Sequence, residues 1–353
     1  MSSCRNATYE TLETRRLAVG IEDAVELWWK LNLLRTLSTE GLPRLAITSV
    51  PLMRQALAPL AWNQDLFDSA QTHATEMSVH NYFSHQSIVD GRWPNQMVRD
   101  KGYPLPQSIL NQRNDVETIV GGERFSEVDD VLLEMLTNST AKAQLFPDNN
   151  AGALTTEIGI GSAKNLESTF DHYWATHVAG RLQGERFITG VVYADDNGNR
   201  NFDAGEGLAG IKVMTGELST TTDSSGSYAL AVAGGRHLVS FHEAEHELNR
   251  TMISVSDRSV AIDLRKNDAS LEVNFRKRSW WTNANNHVDV NRDRYVTPID
   301  ALVVINHLNR TGPQSFGTAS SNQAYAGSAV DTNGDSNLTA TDALVVINYL
   351  NRG

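Results

Sequence analysis

The chain has 353 residues, 42 acidic and 30 basic, for a formal net charge of -12, which excludes a generic nucleic-acid binder with its clustered basic surface. Hydrophobic residues make up 40%, too many for a wholly disordered chain, yet no run reaches the ~18 apolar residues of a membrane helix. A single cysteine, Cys4, allows neither an internal disulfide framework nor a Cys-rich zinc site. A soluble, acidic chain of two or three domains is expected.

Residues 1–27 are expected to form a leader or tail. Arg15 and Arg16 precede the apolar patch Leu17-Ala18-Val19-Gly20-Ile21, which is shorter than the ~7–15 apolar residues of a secretory signal. Residues 28–185 read as α+β. Leu66, Phe67, Ala70, His73, Ala74 and Met77 recur at helical spacing behind Asn63, a suitable N-cap. A second helix is expected from Ser126 to Met135. Strands are expected at Glu157–Gly161 and His172–Val178. Residues 186–278 read as a small all-β sandwich, with strand-like runs at 187–193, 211–214, 228–232, 237–241 and 271–275 divided by turn clusters such as Asp223-Ser224-Ser225-Gly226.

Residues 279–353 contain an internal repeat. Asp300-Ala301-Leu302-Val303-Val304-Ile305-Asn306-His307-Leu308-Asn309-Arg310 returns from Asp342 to Arg352 with one change, His307 to Tyr349. A repeat at that period marks a duplicated structural unit. Each helix follows a twelve-residue acidic loop. Asp289, Asn291, Asp293, the Tyr295 carbonyl, Thr297 and Asp300 fill positions 1, 3, 5, 7, 9 and 12 of the first. Asp331, Asn333, Asp335, the Asn337 carbonyl, Thr339 and Asp342 fill them in the second. Calcium takes 6–8 oxygens, and side chains at alternate loop positions converge on one point while the following helix supplies the last carboxylate. Two such loops in register imply two Ca2+ ions. Position 6, usually glycine, is Arg294 and Ser336; a non-glycine residue in the left-handed region costs about 1–2 kcal/mol, so binding weaker than that of a cytosolic sensor is expected. A third loop in the β segment offers Asp195, Asn197, Asn199, the Asn201 carbonyl, Asp203 and Glu206 at the same positions, with Arg200 at position 6, and predicts one further Ca2+.

Four resemblances follow. Leu12-Glu13-Thr14-Arg15-Arg16-Leu17-Ala18 resembles the L-E-P-R-x-L-L segment of bacterial surface proteins. Residues 28–180, through Leu60-Ala61-Trp62-Asn63, the His73-to-Met77 spacing, Asn81-Tyr82-Phe83-Ser84-His85 and Thr156-Glu157-Ile158-Gly159-Ile160-Gly161, resemble a bacterial CAP (SCP-like) domain, which implies an α-β-α sandwich. The β segment, around G-V-V-Y-A-D-D-N-G-N-R-N-F-D-A-G-E-G, is similar to the calcium-binding B-type repeats of adhesins (SdrD B-like), implying an Ig-like sandwich that serves as a stiff spacer. Residues 287–352 closely resemble a type I dockerin, a small all-α EF-hand-like module that folds on calcium and docks onto a cohesin-type receptor. Its recognition positions 10 and 11 differ between the halves, Pro298-Ile299 against Ala340-Thr341, so the two faces are not expected to be equivalent.

In the CAP family the cleft carries His and Glu residues that can hold zinc. By that likeness His85 and Glu117 are the candidate cleft residues. Lys142 stands where the family's second histidine belongs, and an ammonium has no lone pair for a metal. One His and one Glu fall short of three protein ligands, so zinc is not expected. His73 and His80 read as helix-surface or core-edge residues, and Trp62, Tyr82, Phe83, Trp93 and Trp174 as core rather than a ligand groove. No nucleophile elbow, P-loop, Rossmann pattern or H-E-x-x-H occurs.

The expectation is a secreted or surface-attached bacterial protein in which residues 279–353 dock onto a cohesin-like receptor. The head would then bind an unknown lipid, glycan or cell-wall ligand without catalysis. The alternative is a component of a polysaccharide-degrading complex with O-glycosyl hydrolase activity, for which Glu117 with Glu134 or Glu157 is the conceivable carboxylate pair. A CAP-type protease is the weaker third option. No nucleic-acid partner and no transmembrane segment are expected.

Overall fold

The computed structural model describes residues 21–37, 45, 47, 57–147, 155–181, 185–256, 258–274, 288–291, 293, 295–315, 329–332 and 337–351. Cys4, the Leu12–Ala18 segment, Asn333, Asp335, Arg294 and Ser336 lie outside them. The chain divides into two compact units, Met1–Phe275 and Arg276–Gly353.

The first unit opens with helix α1 over residues 21–37. Residues 21–27, expected in the leader, are its first two turns, and Ala24, Val25 and Leu27 are fully buried. Trp28, Trp29, Leu31, Leu33 and Leu34 are buried as well. Glu26, Lys30, Asn32, Arg35 and Thr36 of the same helix are buried beside them, so α1 is enclosed on polar and apolar sides alike, and its polar residues break up the apolar stripe that a sequence reading looks for. It packs into the largest apolar cluster among the described residues.

The head layer is a four-stranded sheet in the order β1 (Ala61–Trp62), β3 (Glu157–Asn165), β4 (Asp171–Ala179), β2 (Glu117–Gly121). Only β1 and β3 pair in parallel. Strand alternation sends Ile158, Ile160, Trp174 and Val178 toward α1 and helices α4 (Val128–Thr137) and α5 (Ser139–Leu145). Tyr173 and Ala175 face the other way, onto Ala70, Ala74 and Met77 of α2 (Gln64–His80). The sheet thus lies between helical layers. Asn63 caps α2 as expected, its side chain accepting from the Leu66 amide at 3.0 Å. Helix α3 spans Pro94–Asp100. The expected start of α4 at Ser126 moves to Val128, because residues Glu123–Ser126 form a 3-10 turn.

Two glycines set how deeply α2 sits on the sheet. A Cβ at Gly159 would lie 2.0 Å from the Phe67 amide nitrogen, and one at Gly161 would lie 2.2 Å from that of Gln71. Only hydrogen fits there, so helix backbone and strand backbone touch. Replacing Gly159 by alanine must push α2 off the sheet. Overpacking of a core typically costs 1–3 kcal/mol, and a clash with backbone belongs at the top of that range; a thermal melt of the full chain is expected to show the first unit destabilised by about 3 kcal/mol.

The β segment follows in the same unit as two four-stranded sheets. One has the order β10 (His246–Val255), β9 (Gly235–Glu243), β6 (Lys212–Thr215), β7 (Leu218–Thr221). The other runs β12 (Ser270–Asn274), β11 (Val260–Arg265), β5 (Arg186–Tyr193), β8 (Ser227–Val232). Val213, Val239, Phe241, Ile253 and Val255 of the first meet Ile188, Val192, Tyr228, Leu230 and Ile262 of the second in one apolar core. Strands β7, β10 and β11 were not among the expected runs. β7 and β10 carry exposed residues at alternate positions or more often, which lowers their apolar signal.

The second unit contains α6 (Pro298–Thr311), α7 (Ala340–Leu350) and a short antiparallel pair, β13 (Gln314–Ser315) with β14 (Asn337–Leu338). Its core repeats like its sequence: Ala301 and Val304 of α6 are buried with Ala343 and Val346 of α7, around Val288, Val290, Val330 and Leu338. Among the described residues no helix is long and apolar enough to cross a membrane.

Candidate functional site

Both tail loops end on a helix N-terminus built the same way. Thr297 caps α6 in a capping box closed by Asp300, and Thr339 caps α7 in one closed by Asp342. Both aspartates are fully buried. Asp300 Oδ1 accepts from the Val290 and Asn291 amides at 2.7 and 3.1 Å, and Oδ2 from the Thr297 amide at 2.9 Å. Asp342 repeats this with the Thr332 and Thr339 amides, each at 2.9 Å. In the first loop the Asp293 amide donates to Asp289 Oδ1 at 3.1 Å and the Tyr295 amide to Asp293 Oδ1 at 2.9 Å. The structure therefore brings Asp289, Asn291, Asp293, Tyr295, Thr297 and Asp300 into one closed loop. Of the second loop it describes Asp331, Asn337, Thr339 and Asp342. A buried carboxylate at position 12 and hard oxygens at the alternate positions suit Ca2+ in kind.

The third loop closes similarly. Asp195 Oδ2 accepts from the Arg200 amide at 3.0 Å, Asn197 and Asn199 each donate to Asp203 Oδ2 at 2.7 Å, and Glu206 accepts from the Asp196 and Asp203 amides, each at 3.0 Å. Asn201 lies in the same turn, its amide bonded to Asn199 Oδ1 at 2.6 Å. Arg200, at position 6, takes φ 65°, the left-handed conformation that the loop turn needs. Asp195 Oδ1 is buried with no hydrogen-bond partner. Burial raises the Glu206 carboxyl above its ordinary value, against the two amides that lower it. The other oxygen of the Asp195 carboxylate, Oδ2, lies 3.7 Å from Arg265 Nη1, so what the loop leaves unmet is the hydrogen-bonding capacity of Oδ1, which a hard cation would satisfy.

The head presents a different chemistry. Glu117 begins β2 and lies directly opposite His177 on β4, which in turn pairs with Gly159 on β3. All face α2, and the bare glycine lets His73 of that helix reach down between them. His73 Nδ1 donates to Glu117 Oε1 at 2.5 Å, His177 Nε2 to the same oxygen at 2.8 Å, and His85 Nδ1 to Oε2 at 2.8 Å. An ionised carboxylate only accepts, which assigns the protons to the three imidazoles. The side chains of Glu117, His73 and His177 are buried, whereas that of His85 is 39% exposed. Burial alone would push the Glu117 carboxyl up; the hydrogen bonds from His177, His73 and His85 instead hold it well below the usual carboxylate range. Burial also lowers His177 below its ordinary value, against the pull of Glu117.

His85 and Glu117 thus meet as expected, but two expectations need correction. His73 is not a surface or core-edge residue: it is 2% exposed and bonded to Glu117. The count of one His and one Glu, on which the expectation of no zinc rested, also fails. His73, Glu117 and His177 offer ligand atoms within 4.8 Å of one another, a donor set that matches zinc in number and kind. His73 Nε2 and His177 Nδ1 are buried without partners. Binding through the nitrogens that now donate to Glu117 would require them to lose those protons. His80, by contrast, is exposed as expected. Strand alternation could have placed His177 on the α2 side of β4; nothing local to the sequence joins it to residues 60 and 104 positions away.

The conceivable carboxylate pairs are not available. Glu157 is buried and accepts from Asn63 Nδ2 at 2.7 Å, Tyr103 Oη at 2.8 Å and Arg181 Nε at 3.1 Å. Glu134 pairs with Arg124 at 2.5 Å. Trp62, Tyr82 and Trp174 are core residues, while Phe83 is partly exposed and stacks on Phe170 with ring centroids 4.9 Å apart.

No curated protein matches the chain. Among solved structures, an extracellular protein containing a SCP domain from Bacillus anthracis str. Ames is similar over 35% of this chain and 34% of its own length, at 20% identity and a TM-score of 0.26. An outer surface protein from Borrelia burgdorferi is similar over 45% of this chain and 94% of its own, at 17% identity and a TM-score of 0.30. The chain therefore spans about a third of the length of the SCP-domain protein. Residues 287–351 match the family model of the dockerin type I domain, which supports calcium-dependent protein–protein docking by a modular chain.

Proposed function

We propose that the chain is an extracellular or cell-surface bacterial docking protein whose tail binds two Ca2+ ions and a cohesin-type receptor. The carrying observation is the equality of the two tail halves: Asp300 and Asp342 close the same capping box and accept from the same backbone positions. The ligands are Asp289, Asn291, Asp293, the Tyr295 carbonyl, Thr297 and Asp300, and their counterparts from Asp331 to Asp342. Positions 10 and 11 of each loop are exposed on the first helical turn, where a receptor can read them. Ile299 and Leu302 are exposed on α6, against Thr341, Leu344 and Tyr349 on α7, so the two faces offer a receptor different apolar groups.

In this reading residues 186–278 are an Ig-like spacer holding a third Ca2+ through Asp195, Asn197, Asn199, the Asn201 carbonyl, Asp203 and Glu206. Residues 28–185 are a CAP-like head whose ligand, a lipid, glycan or cell-wall component, is met at the His85 edge of the cluster, the one edge that reaches solvent. A binding role is preferred to glycoside hydrolysis because Glu134 and Glu157 are already engaged with arginines. The test immobilises the full chain and passes type I cohesin modules over it in calcium and in EGTA. Retention in calcium and release by EGTA are expected; retention that ignores calcium overturns the docking reading.

A further inference from the structure

Helix α1 is shared between the head layer and the β-sandwich. On one side Trp28 Nε1 and Asn32 Nδ2 donate to the Leu60 carbonyl at 2.7 and 2.9 Å, beside strand β1. On another, Trp29 Nε1 donates at 3.0 Å to Asp263 Oδ2 of β11, whose Oδ1 accepts from the Val191 amide of β5 at 3.0 Å. A third set of contacts comes from the acidic loop. The Ala204 amide donates to Glu26 Oε2 at 2.8 Å, and Glu26 continues through Lys30, at 2.6 Å, to Asp129 of α4, at 2.5 Å. Phe202 is 1% exposed and belongs to the same apolar cluster as α1 and the head sheet. Its ring centroid lies 6.3 Å from that of Trp29 and 5.8 Å from that of Tyr193.

The position of Phe202 in the loop is what matters. It stands between the Asn201 carbonyl and Asp203, adjacent candidate calcium ligands at positions 7 and 9. A cation held by both neighbours fixes the backbone that carries the ring, and Ala204 follows immediately. Without a cation, Asp195, Asp203 and Glu206 bring three carboxyl groups together in one twelve-residue loop. The buried, unpartnered Asp195 Oδ1, on a side chain only 6% exposed, shows that the loop leaves a polar demand unmet.

We infer that calcium in the 195–206 loop clamps α1 through Phe202 and Ala204, so that the ion controls the rigidity of the joint between the head layer and the β-sandwich. The inference rests on the third-calcium reading given above. Two events that share the same residues are linked, and the linkage is reciprocal: calcium stabilises the clamped state, and the clamped state tightens calcium. Extracellular calcium would then do more than staple the spacer; it would set the head's orientation relative to it.

Hydrogen–deuterium exchange of the full chain, with and without calcium, separates the two claims because peptides report locally. At calcium about 100 times the dissociation constant, a state that alone binds the ion gains up to about 100-fold in population. Amides of residues 21–37 are therefore expected to exchange up to about 100-fold more slowly, together with those of 195–206. In Phe202→Ala, which keeps every ligand, the loop should still respond while the α1 response falls at least tenfold. Asp203→Ala should abolish both. Protection of 195–206 without protection of 21–37 in the unmodified chain overturns the clamp alone. No response at 195–206, while tail residues 289–300 do respond, overturns the third calcium site and the clamp with it.

Discussion

Asp300→Ala and Asp342→Ala are each expected to remove one calcium ion from the titration of the full chain and to loosen the tail even before metal is considered. Each aspartate is fully buried, and each does two tasks. It closes a capping box whose loss costs about 0.5–2 kcal/mol, and it satisfies loop amides that would otherwise be buried without acceptors, at about 1–3 kcal/mol each. A loss of about 3 kcal/mol in the metal-free tail is the combined expectation. In calcium the loss grows, because binding free energy at a loop that organises on the ion is folding free energy. Calorimetry of calcium binding beside a thermal melt checks both parts. The asparagine variants separate them: Asp300→Asn keeps an amide-accepting oxygen, so most of the metal-free stability should return while the calcium site stays weakened. Unchanged heats in both alanine variants would refute the loop assignment.

Glu117→Ala should be the most damaging single change in the head. It leaves the N–H groups of His73, His85 and His177 without their common acceptor, two of them fully desolvated. Breaking a buried charged partner typically costs about 3–5 kcal/mol, and at about 2–4 °C per kcal/mol for a unit of this size the midpoint should drop by about 10 °C. His85→Ala is the control: its side chain is 39% exposed, so a loss below about 1 kcal/mol is expected. The same cluster sets an acid limit. Glu117 is held below its ordinary pKa and His177 is lowered as well. In both cases the unfolded chain takes up protons more readily than the folded one, so stability falls as pH falls. The His177 contribution starts to fade below about pH 6.5 and the Glu117 contribution below about pH 4.5, the ordinary values of the two groups. Melts of wild type from pH 8 to about 3 should show this decline, and Glu117→Ala should lose the part below about pH 4.5. A wild-type midpoint flat over that range would sink the network as described.

Much of the tail was legible because its determinants are local. A calcium loop is twelve consecutive residues, its closing helix starts at position 10, and the whole unit is written twice. Asp300 and Asp342 could be named from spacing, and both proved to be buried capping residues. In the 195–206 loop Arg200, at position 6, takes a left-handed conformation with φ 65°. Asn63 as a cap and the strands at 157–161 and 172–178 were likewise local signals.

The head cluster and α1 were not legible in that way. Glu117 meets His73, His85 and His177 across separations of 44, 32 and 60 residues, and a lone histidine carries no mark of its partner. What unites them is register: His177 falls opposite both Glu117 and Gly159, and the missing side chain at Gly159 lets α2 bring His73 into reach. Helix α1 escaped notice because buried polar residues such as Glu26, Lys30, Asn32 and Arg35 interrupt its apolar period, and its role as the element shared by sheet and sandwich exists only once Leu60, Asp263 and Phe202 have been folded around it. The amino-acid sequence by itself determined the dockerin-like tail, whose family model matches residues 287–351, since its repeated loop and helix are written in consecutive residues. The buried imidazole–carboxylate cluster, and the joint that ties the acidic loop to the head, were decided by tertiary packing, because each depends on distant residues that nothing but the folded core brings together.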